Sequence, residues 1–336
     1  MTSGILAVRL RTLGDVVLTT PALRALKRGY PDDRLEVVTE KRYVPLLEGL
    51  PELDRVWPLE RTAAGTLGLV RALRRRRWRW AVDFFGNARS ALIARASGAV
   101  RCAGYELRGR RYAYHLRVPR NASVVPGRPE YAAAAHRRLA VAVGGIDDGL
   151  DARVAVSGTA RADAARMLAD CGLGGAERVV GLVGAGTWPA KSWPASHAAL
   201  LARALLAAGW AVLLLAGPGE EAATARLARL VPGAQVLPPC DLGALAGVIE
   251  RLSGVVGTDS GPRHLAAALG VPSFAWFGSS HPGIWNPPGA QHGFWWSDLP
   301  CRGCGRTSCP HWNCLPSLDA PLAARLVVDH LARHAV

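Results

Sequence analysis

One local pattern occurs twice in this chain and constrains everything else. Gly4 to Leu10 is a compact apolar run with β-branched members; it ends in Arg11, Thr12, Leu13, Gly14 and Asp15, and Val16 to Leu26 then reads as a helix. Val179 to Val183 is a second such run, followed by a turn from Gly184 to Pro194 and a helix from Ala195 to Ala208. Strand, glycine-bearing turn and helix form the opening unit of an α/β domain, so a chain that opens alike twice is predicted to hold two domains. Its 336 residues, half of them hydrophobic, are too many for one ordinary core and suit two of roughly 150 residues. Further short runs at Leu35–Thr39, Val56–Leu59, Ala81–Phe85, Val212–Ala216 and Leu252–Val256 alternate with helical segments, which predicts parallel sheets. Between Pro119 and Gly175, glycines and prolines surround one helix, Tyr131–Val143, and mark the approach to a domain boundary.

Several classes fall away at once. Ala204 to Gly219 is too short for a membrane span, and Leu265 to Ser297 is broken by Pro272, Pro282, Pro287 and Pro288. The first residues lack a basic region followed by an apolar core, so no secretion signal is read and a cytoplasmic protein is expected. Lys and Arg number 41 against 26 Asp and Glu, a formal charge of +15, which suits an anionic partner; the arginine, alanine, glycine and proline bias also follows from a GC-rich genome. Arg71–Trp80 and Arg108–Tyr114 interleave arginine with aromatics. Such stretches bind nucleic acid, lie on an anionic membrane with tryptophans at headgroup depth, or are solvated helix ends. Neither is accompanied by a nucleic-acid-binding motif, so no nucleic acid is expected.

Three turns carry candidate chemistry. The run Leu252–Val256 feeds Gly257, Thr258, Asp259, Ser260 and Gly261 and then an alanine-rich helix, which aims backbone N–H groups and the positive end of the helix dipole at one point. An anion fits there, with the Ser260 hydroxyl and a charge from Arg263 or His264; alternatively Asp259 only caps a helix whose first turn accepts Pro262. The turn carrying Thr187 and Lys191 offers a hydroxyl and an ammonium to a phosphate, or is a plain surface loop without the spacing of a Walker motif. Glu220 and Glu221 follow the strand Val212–Ala216, where a carboxylate can hold a ribose hydroxyl. Asp15, at the carboxyl end of the first strand, either serves a ligand or caps the first helix.

Together Arg9–Leu23 with Asp15 and Pro21, Lys191–Pro194, the glycine-acid turn at 217–221, and Asp259–Leu269 followed by Phe277 and Gly278 resemble glycosyltransferase family 9, the bacterial heptosyltransferases of lipopolysaccharide core synthesis. The resemblance spans nearly the whole chain. It implies an α/β GT-B fold: two facing Rossmann-like domains, residues 1–155 for the acceptor and 176–318 for the nucleotide-sugar, with residues 319–336 as a helix crossing back. That helix has Leu322, Leu326, Val327 and Leu331 as apolar members. It also implies an inverting, metal-independent transfer, with heptose from ADP-heptose as the leading donor and a lipopolysaccharide-core-like or other cell-envelope glycan as acceptor. Asp15 would be the general base and Lys191 would stabilise the departing diphosphate. The donor would be held by Thr187, Lys191, Glu220, Glu221, Asp259, Ser260, Gly261 and His264. The acceptor, an anionic glycolipid met at the inner-membrane surface, would be held by Arg9, Arg11, Thr12, Gly14, Arg108 and Arg111. A relative with a different donor sugar, or a non-catalytic nucleotide-sugar-binding protein, is the alternative. A dinucleotide oxidoreductase is excluded, because Pro189 stands where the third glycine of its fingerprint belongs.

Four of the seven cysteines, Cys301, Cys304, Cys309 and Cys314, fall within fourteen residues. In a reducing compartment such a cluster reads as a structural metal knuckle for zinc or iron, with His311 as a substitute ligand; free thiols or a disulfide pair are the other readings. Family members often carry a similar cluster at this place. No cofactor is expected to be needed for catalysis.

Overall fold

The structure, a computed structural model, describes residues 3–121, 129–184, 186 and 188–335. The chain divides into two compact units, Met1–Ala155 and Val156–Val336. In chain order the first holds β1 (Gly4–Val8), α1 (Leu13–Gly29), β2 (Arg34–Glu40), β3 (Arg55–Leu59), α2 (Ala63–Leu73), β4 (Trp80–Asp83), α3 (Ala88–Ala96), β5 (Arg101–Tyr105), β6 (Leu116–Val118) and α4 (Ala132–Ala142). The second opens with α5 (Gly158–Asp170), β7 (Val179–Val183), α6 (Ala195–Ala207), β8 (Ala211–Leu214), α7 (Glu221–Leu230) and β9 (Gln235–Val236). It continues with α8 (Leu242–Glu250), β10 (Gly254–Thr258), α9 (Gly261–Ala268), β11 (Ser273–Phe277), α10 (Pro282–Trp285), β12 (His292–Trp296) and α11 (Ala320–His334).

Each unit is built on a six-stranded parallel sheet, ordered β3-β2-β1-β4-β5-β6 in one and β12-β11-β10-β7-β8-β9 in the other. Counted within its own unit, each sheet therefore has the strand order three-two-one-four-five-six of a dinucleotide-binding fold. The order reverses between β1 and β4, and again between β7 and β10. Such a reversal sends consecutive helices to opposite faces and leaves a crevice at the carboxyl ends of the two strands.

The strands form where uninterrupted Val, Leu, Ile and Ala runs can be covered on both faces, and β1, β7, β10 and β11 are buried throughout. The extended run that begins with β1 reaches Leu10: Arg9 N donates to Val38 O at 2.9 Å and Glu40 N donates to Leu10 O at 3.1 Å. Helix α1 continues straight through Pro21, which cannot donate to Val17 O; the Thr20 hydroxyl donates to that carbonyl instead, at 2.8 Å. Almost every side chain from Val16 to Leu26 is buried, because β-sheet lies on one side of α1 and α4 on another. Gly29 permits that second contact, since a Cβ there would stand 2.1 Å from Gly144 O. Asp319, the first residue of the segment predicted as the terminal helix, is the N-cap of α11 and accepts from Leu322 N at 2.7 Å. Within its unit α11 packs on α6, with Val327 and Leu331 in the same core as Leu201 and Trp276.

Gly257 makes the second reversal possible. It pairs with Val183 across β10 and β7 at φ 148°, where a Cβ would meet Val183 O at 2.3 Å. Gly257→Ala is therefore expected to lower stability by roughly 2–3 kcal/mol through combined backbone strain and overpacking. Urea unfolding followed by circular dichroism measures this, and an unchanged midpoint would show that β7 and β10 can move apart at no cost.

Candidate functional site

Each sheet places one ion pair at its reversal, and the two pairs are of opposite sense. In the first unit Arg9 leaves the end of β1 and its guanidinium is buried. One nitrogen stands 2.5 Å from Asp15 Oδ1 and another donates to Phe84 O at 2.5 Å, just beyond β4. The Phe85 ring lies 5.2 Å from the same guanidinium. Thr12 is the N-cap of α1 and Asp15 is its third residue; the Thr12 hydroxyl donates to Asp15 Oδ2 at 2.9 Å. The cap is thus Thr12, and Asp15 reaches back to it from the first turn. Burial alone would raise the Asp15 pKa, but the charge of Arg9 and the hydrogen bonds of Thr12 oppose it and the carboxyl ends below its ordinary 3.8. His136 stays neutral, because burial and Arg9 push it down to about 3. Arg9 is 1% exposed and Asp15 23%, so this pair offers a carboxylate to whatever enters the crevice.

In the second unit the senses are exchanged. Lys191 Nζ stands 2.7 Å from Asp259 Oδ2, with the carboxylate 4% exposed and the lysine 24%. His264 Nε2 is 3.8 Å from the other Asp259 oxygen. Burial again works to raise the carboxyl, and Lys191, His264 and Arg263 overcome it, leaving Asp259 below 3.8. Ser260 is the N-cap of α9 and Gly261 its first residue. The Ser260 hydroxyl oxygen is buried and has no hydrogen-bond partner among the described residues. An open cation, an orphaned hydroxyl and a helix N-terminus gather at one sheet reversal, a set of groups whose chemistry suits an anion. Asp259 serves here as the counter-charge that holds Lys191. The Trp285 ring closes the same region, 6.0 Å from Lys191 Nζ and 6.2 Å from the His264 ring.

Other residues expected at the site are distributed less simply. Arg11 is exposed with its guanidinium 6.0 Å from the Phe85 ring, and Gly14 is buried in α1. Arg108 and Arg111 are exposed in the loop after β5, at the same carboxyl edge as Asp15, and Arg111 pairs with Glu106 at 3.1 Å. Glu220 and Glu221 fold back on their own turn, accepting from Gly217 N and Gly219 N, each at 2.8 Å. Thr187 lies outside the described residues. Arg263, one of two cations considered for the anion, instead turns its buried guanidinium to Asn286 Oδ1 and over the Phe277 ring. The membrane reading of Arg71–Trp80 fails at its tryptophans: Trp78 and Trp80 are core residues, and the Trp78 indole donates to Leu73 O. Arg76 neutralises buried Glu36 and Arg79 pairs with Asp33, leaving Arg74, Arg75 and Arg77 exposed at the end of α2.

Asp83, at the end of β4, is buried and was not anticipated. It accepts from Phe85 N, Gly86 N, Ser90 Oγ and Tyr114 Oη at 2.6–3.0 Å, and burial still raises its pKa against those donors. It fixes the turn whose Phe84 carbonyl holds Arg9. No periodicity or motif announces it, since its partners lie up to 31 residues away.

The cysteine segment lies against the lysine turn. Ala190 N donates to Thr307 O at 3.1 Å, and one cavity of ≈ 450 Å³ is lined by Ala190, Ser279 and all four clustered cysteines. All seven cysteines are free thiols, which removes the disulfide reading. Backbone N–H groups of Trp312 and His311 lower the Cys309 thiol, whereas burial raises Cys314. Four thiols suit zinc or iron chemically, yet among the described residues no three ligand groups stand together closely enough to hold an ion.

Comparison with known proteins adds independent findings. The model of glycosyltransferase family 9 (heptosyltransferase) matches residues 66–314. Lipopolysaccharide heptosyltransferase 1 of Pseudomonas aeruginosa is 30% identical over 328 residues, covering 91% of this chain and 87% of that protein. A family 9 glycosyltransferase from Veillonella parvula superposes with a TM-score of 0.84 at 19% identity, over 98% of this chain and 97% of that one. The ADP-heptose lipopolysaccharide heptosyltransferase II of Escherichia coli gives 0.81 at 21% identity, over 98% and 99%. The iron-containing dodecameric glycosyltransferase TibC of enterotoxigenic E. coli gives 0.57 at 14%, over 99% and 78%. The fold is GT-B, and with a family match across most of its length this chain belongs to glycosyltransferase family 9, the heptosyltransferases.

Proposed function

We propose that this chain transfers heptose from ADP-heptose, with inversion and without a catalytic metal, to a hydroxyl of a lipopolysaccharide-core-like or other cell-envelope glycan. The observation that carries the reading is the opposite sense of the two ion pairs: one unit offers a carboxylate and the other a cation beside a helix N-terminus. The names of similar proteins, a lipopolysaccharide heptosyltransferase and an ADP-heptose-dependent one, support the choice of sugar and acceptor.

In this reading residues 1–155 take the acceptor, residues 176–318 the donor, and residues 319–336 reach back to the first. Asp15 accepts the acceptor hydroxyl proton as its oxygen bonds to the anomeric carbon from the face opposite the diphosphate. The bond from that carbon to the diphosphate oxygen breaks, and ADP leaves with the electron pair. Arg9 acts by keeping Asp15 ionised and aimed, while Arg11, Thr12, Arg108 and Arg111 meet the acceptor and Gly14, buried at the start of α1, shapes the turn beneath it. A carboxylate held below its ordinary pKa is a weak base, so its proton transfer accompanies carbon–oxygen bond formation rather than preceding it. Charge gathering on the diphosphate is met by Lys191, the Ser260 hydroxyl, Gly261 N–H and the α9 dipole. Asp259 holds Lys191 in place, with His264 beside it. Thr187 completes the phosphate contacts and Glu220 or Glu221 meets the ribose, once released from its turn. The enzyme works in the cytoplasm at the inner-membrane face, where its +15 charge and the exposed Arg74, Arg75 and Arg77 favour anionic lipid. No helix among the described residues is long and apolar enough to cross a membrane.

Asp15→Asn keeps the contact to Thr12 and removes the base. Heptosyl transfer is expected to fall roughly 100-fold or more while ADP affinity by calorimetry stays unchanged. In the unmodified enzyme kcat/KM should stay level down to about pH 5 and fall only as pH drops through the depressed Asp15 pKa. Near-normal turnover of the variant would reduce Asp15 to a helix-capping residue.

Lys191→Met strands the buried Asp259 carboxylate as well as removing the phosphate cation. ADP affinity should drop about tenfold or more. Stability should drop by roughly 1–3 kcal/mol near neutral pH, less than for a fully buried pair because the lysine is partly open. Asp259 has a depressed pKa, so its contribution is present above about pH 4 and lost as pH falls through the folded value; the deficit of the variant should shrink in acid. Urea titrations at pH 7 and pH 3.5 separate this from a uniform loss of packing.

A structural zinc or iron would draw together Cys301, Cys304, Cys309 and Cys314, which already share one cavity. Elemental analysis of protein purified without added metal tests this, since a closed four-thiolate site would retain close to one equivalent of zinc plus iron. Less than about 0.2 equivalents, with four titratable thiols from this segment, would leave the loop metal-free.

A further inference from the structure

The α2 helix breaks the usual pattern of a surface helix. Its core side is ordinary, with Leu69 and Leu73 buried. Its solvent side is Ala63, Ala64, Leu67, Gly68 and Arg71, so no charge appears on it before the last turn. A helix that stays apolar on both sides has a second apolar neighbour to meet. Beside it runs α3, and between the two lies a groove of ≈ 600 Å³ walled by Leu67, Val70, Leu92 and Ala96. Leu67 and Leu92 are 52% and 54% exposed on opposite walls. From Thr62 to Val70 the groove follows eight residues of helix, about 12 Å at 1.5 Å per residue.

One end of the groove is chemically distinct. Because α2 and α3 follow β3 and β4 in a parallel sheet, both helices begin at the carboxyl edge where Asp15 stands. Arg61 and Arg89 line that end. Arg61 pairs with Glu40, but Arg89 bridges the helices through neutral oxygens only: Thr66 Oγ1 at 2.8 Å, Thr62 O at 3.2 Å and Glu60 O. Among the described residues no carboxylate cancels its charge.

We propose that this groove seats one acyl chain of an anionic, lipid-anchored acceptor, with the anionic group at Arg89 and the chain running along α2 and α3 away from the catalytic edge. An extended apolar slot with a single cation at one end complements a fatty chain with an anionic head. A peptide strand would leave its backbone polar groups facing alanine and leucine. The chain anchors the acceptor in the unit that carries Asp15 and aligns its polar part with the edge where transfer takes place. This rests on the reading of the first unit as the acceptor side.

The probe is dodecyl phosphate below its micelle concentration, titrated calorimetrically into the full chain, with inorganic phosphate and butyl phosphate as short controls. Saturable one-to-one binding of the dodecyl compound alone is expected. The double variant L67E/L92E, at two half-exposed positions, and the mouth-blocking variant A63W should each weaken it tenfold or more. ADP affinity and thermal midpoint should stay unchanged in both, which shows that the fold is intact. Equal affinity in the variants overturns the proposal. So does binding to phosphatidylglycerol vesicles without binding of the monomeric amphiphile, which makes the patch a membrane contact. A shift from dimer to monomer in L67E/L92E by sedimentation overturns it too, because the groove then holds a second copy. Loss of groove binding needs no sugar transfer to be seen. Dodecyl phosphate bound here in a protein that moves no heptose would sink the transferase reading and leave the groove standing. Transfer without amphiphile binding would do the reverse.

Discussion

A parallel sheet whose strand order reverses has one place where its two neighbouring helices leave for opposite faces, and this chain contains that place twice. The constraint is topological before it is chemical. β1 and β4 in one unit, and β7 and β10 in the other, end side by side. Backbone groups at those strand ends face the crevice, and the helix that follows presents its N-terminus there. A residue one turn past β1 or β10 is therefore near a ligand whatever its identity, and the fold leaves the sequence to decide the charge presented.

The charge was decided by which partner of an ion pair is buried. A lone buried charge costs several kcal/mol, so both units pair theirs; a pair that was wholly buried would present nothing. Here each pair is asymmetric. Arg9 is sunk beneath Asp15 and tied to Phe84 O by the turn that Asp83 fixes, so the carboxylate faces out. Asp259 is sunk beneath Lys191, so the ammonium faces out. In both cases the cationic partner depresses the carboxyl pKa against burial, so each carboxylate stays ionised at neutral pH. The same device with its polarity exchanged leaves a carboxylate open in one unit and an ammonium open in the other.

Much of this was legible in the sequence because it is local. Val179–Val183 emerged with the predicted bounds, the helix after it ended one residue early, and Asp319 stood one residue before its helix as the cap. Asp15, Lys191, Asp259 and Ser260 were found through their position after apolar runs, which is a short-range signal. What sequence could not reveal is direction. The resemblance put Arg9 among the acceptor contacts, and the structure buries its guanidinium behind Asp15. A membrane surface was one of three readings of Arg71–Trp80; the chain enters β4 there and the Trp78 and Trp80 rings pack into the core, leaving arginines outside. Asp83 was missed altogether, since its significance lies in Ser90 and Tyr114, which come from α3 and the β5–β6 connection. Each of these features rests on a long-range contact that no window of residues contains.

The cysteine loop shows how a segment with little apolar content can still matter to the anion site. Residues 301–314 make few core contacts, but their backbone is threaded onto the second sheet. Gly303 N donates to Gly278 O at 2.8 Å, Gly305 N to Ser279 O at 2.7 Å, and Thr307 O accepts from Ala190 N. The loop thus bridges the end of β11 and the turn that carries Lys191. Gly278 is forced at that junction, because a Cβ would meet Cys314 Sγ at 2.7 Å. Trp312 adopts a left-handed backbone at φ 32°, an unfavourable state for a bulky residue that survives only where its surroundings determine it. A loop held in this way braces the lysine turn from outside through the hydrogen bond from Ala190 N to Thr307 O, where Lys191 itself sits in a turn of only three residues, Pro189–Lys191. The position of the exposed ammonium is accordingly set from two sides, by buried Asp259 beneath it and by the cysteine loop beside it.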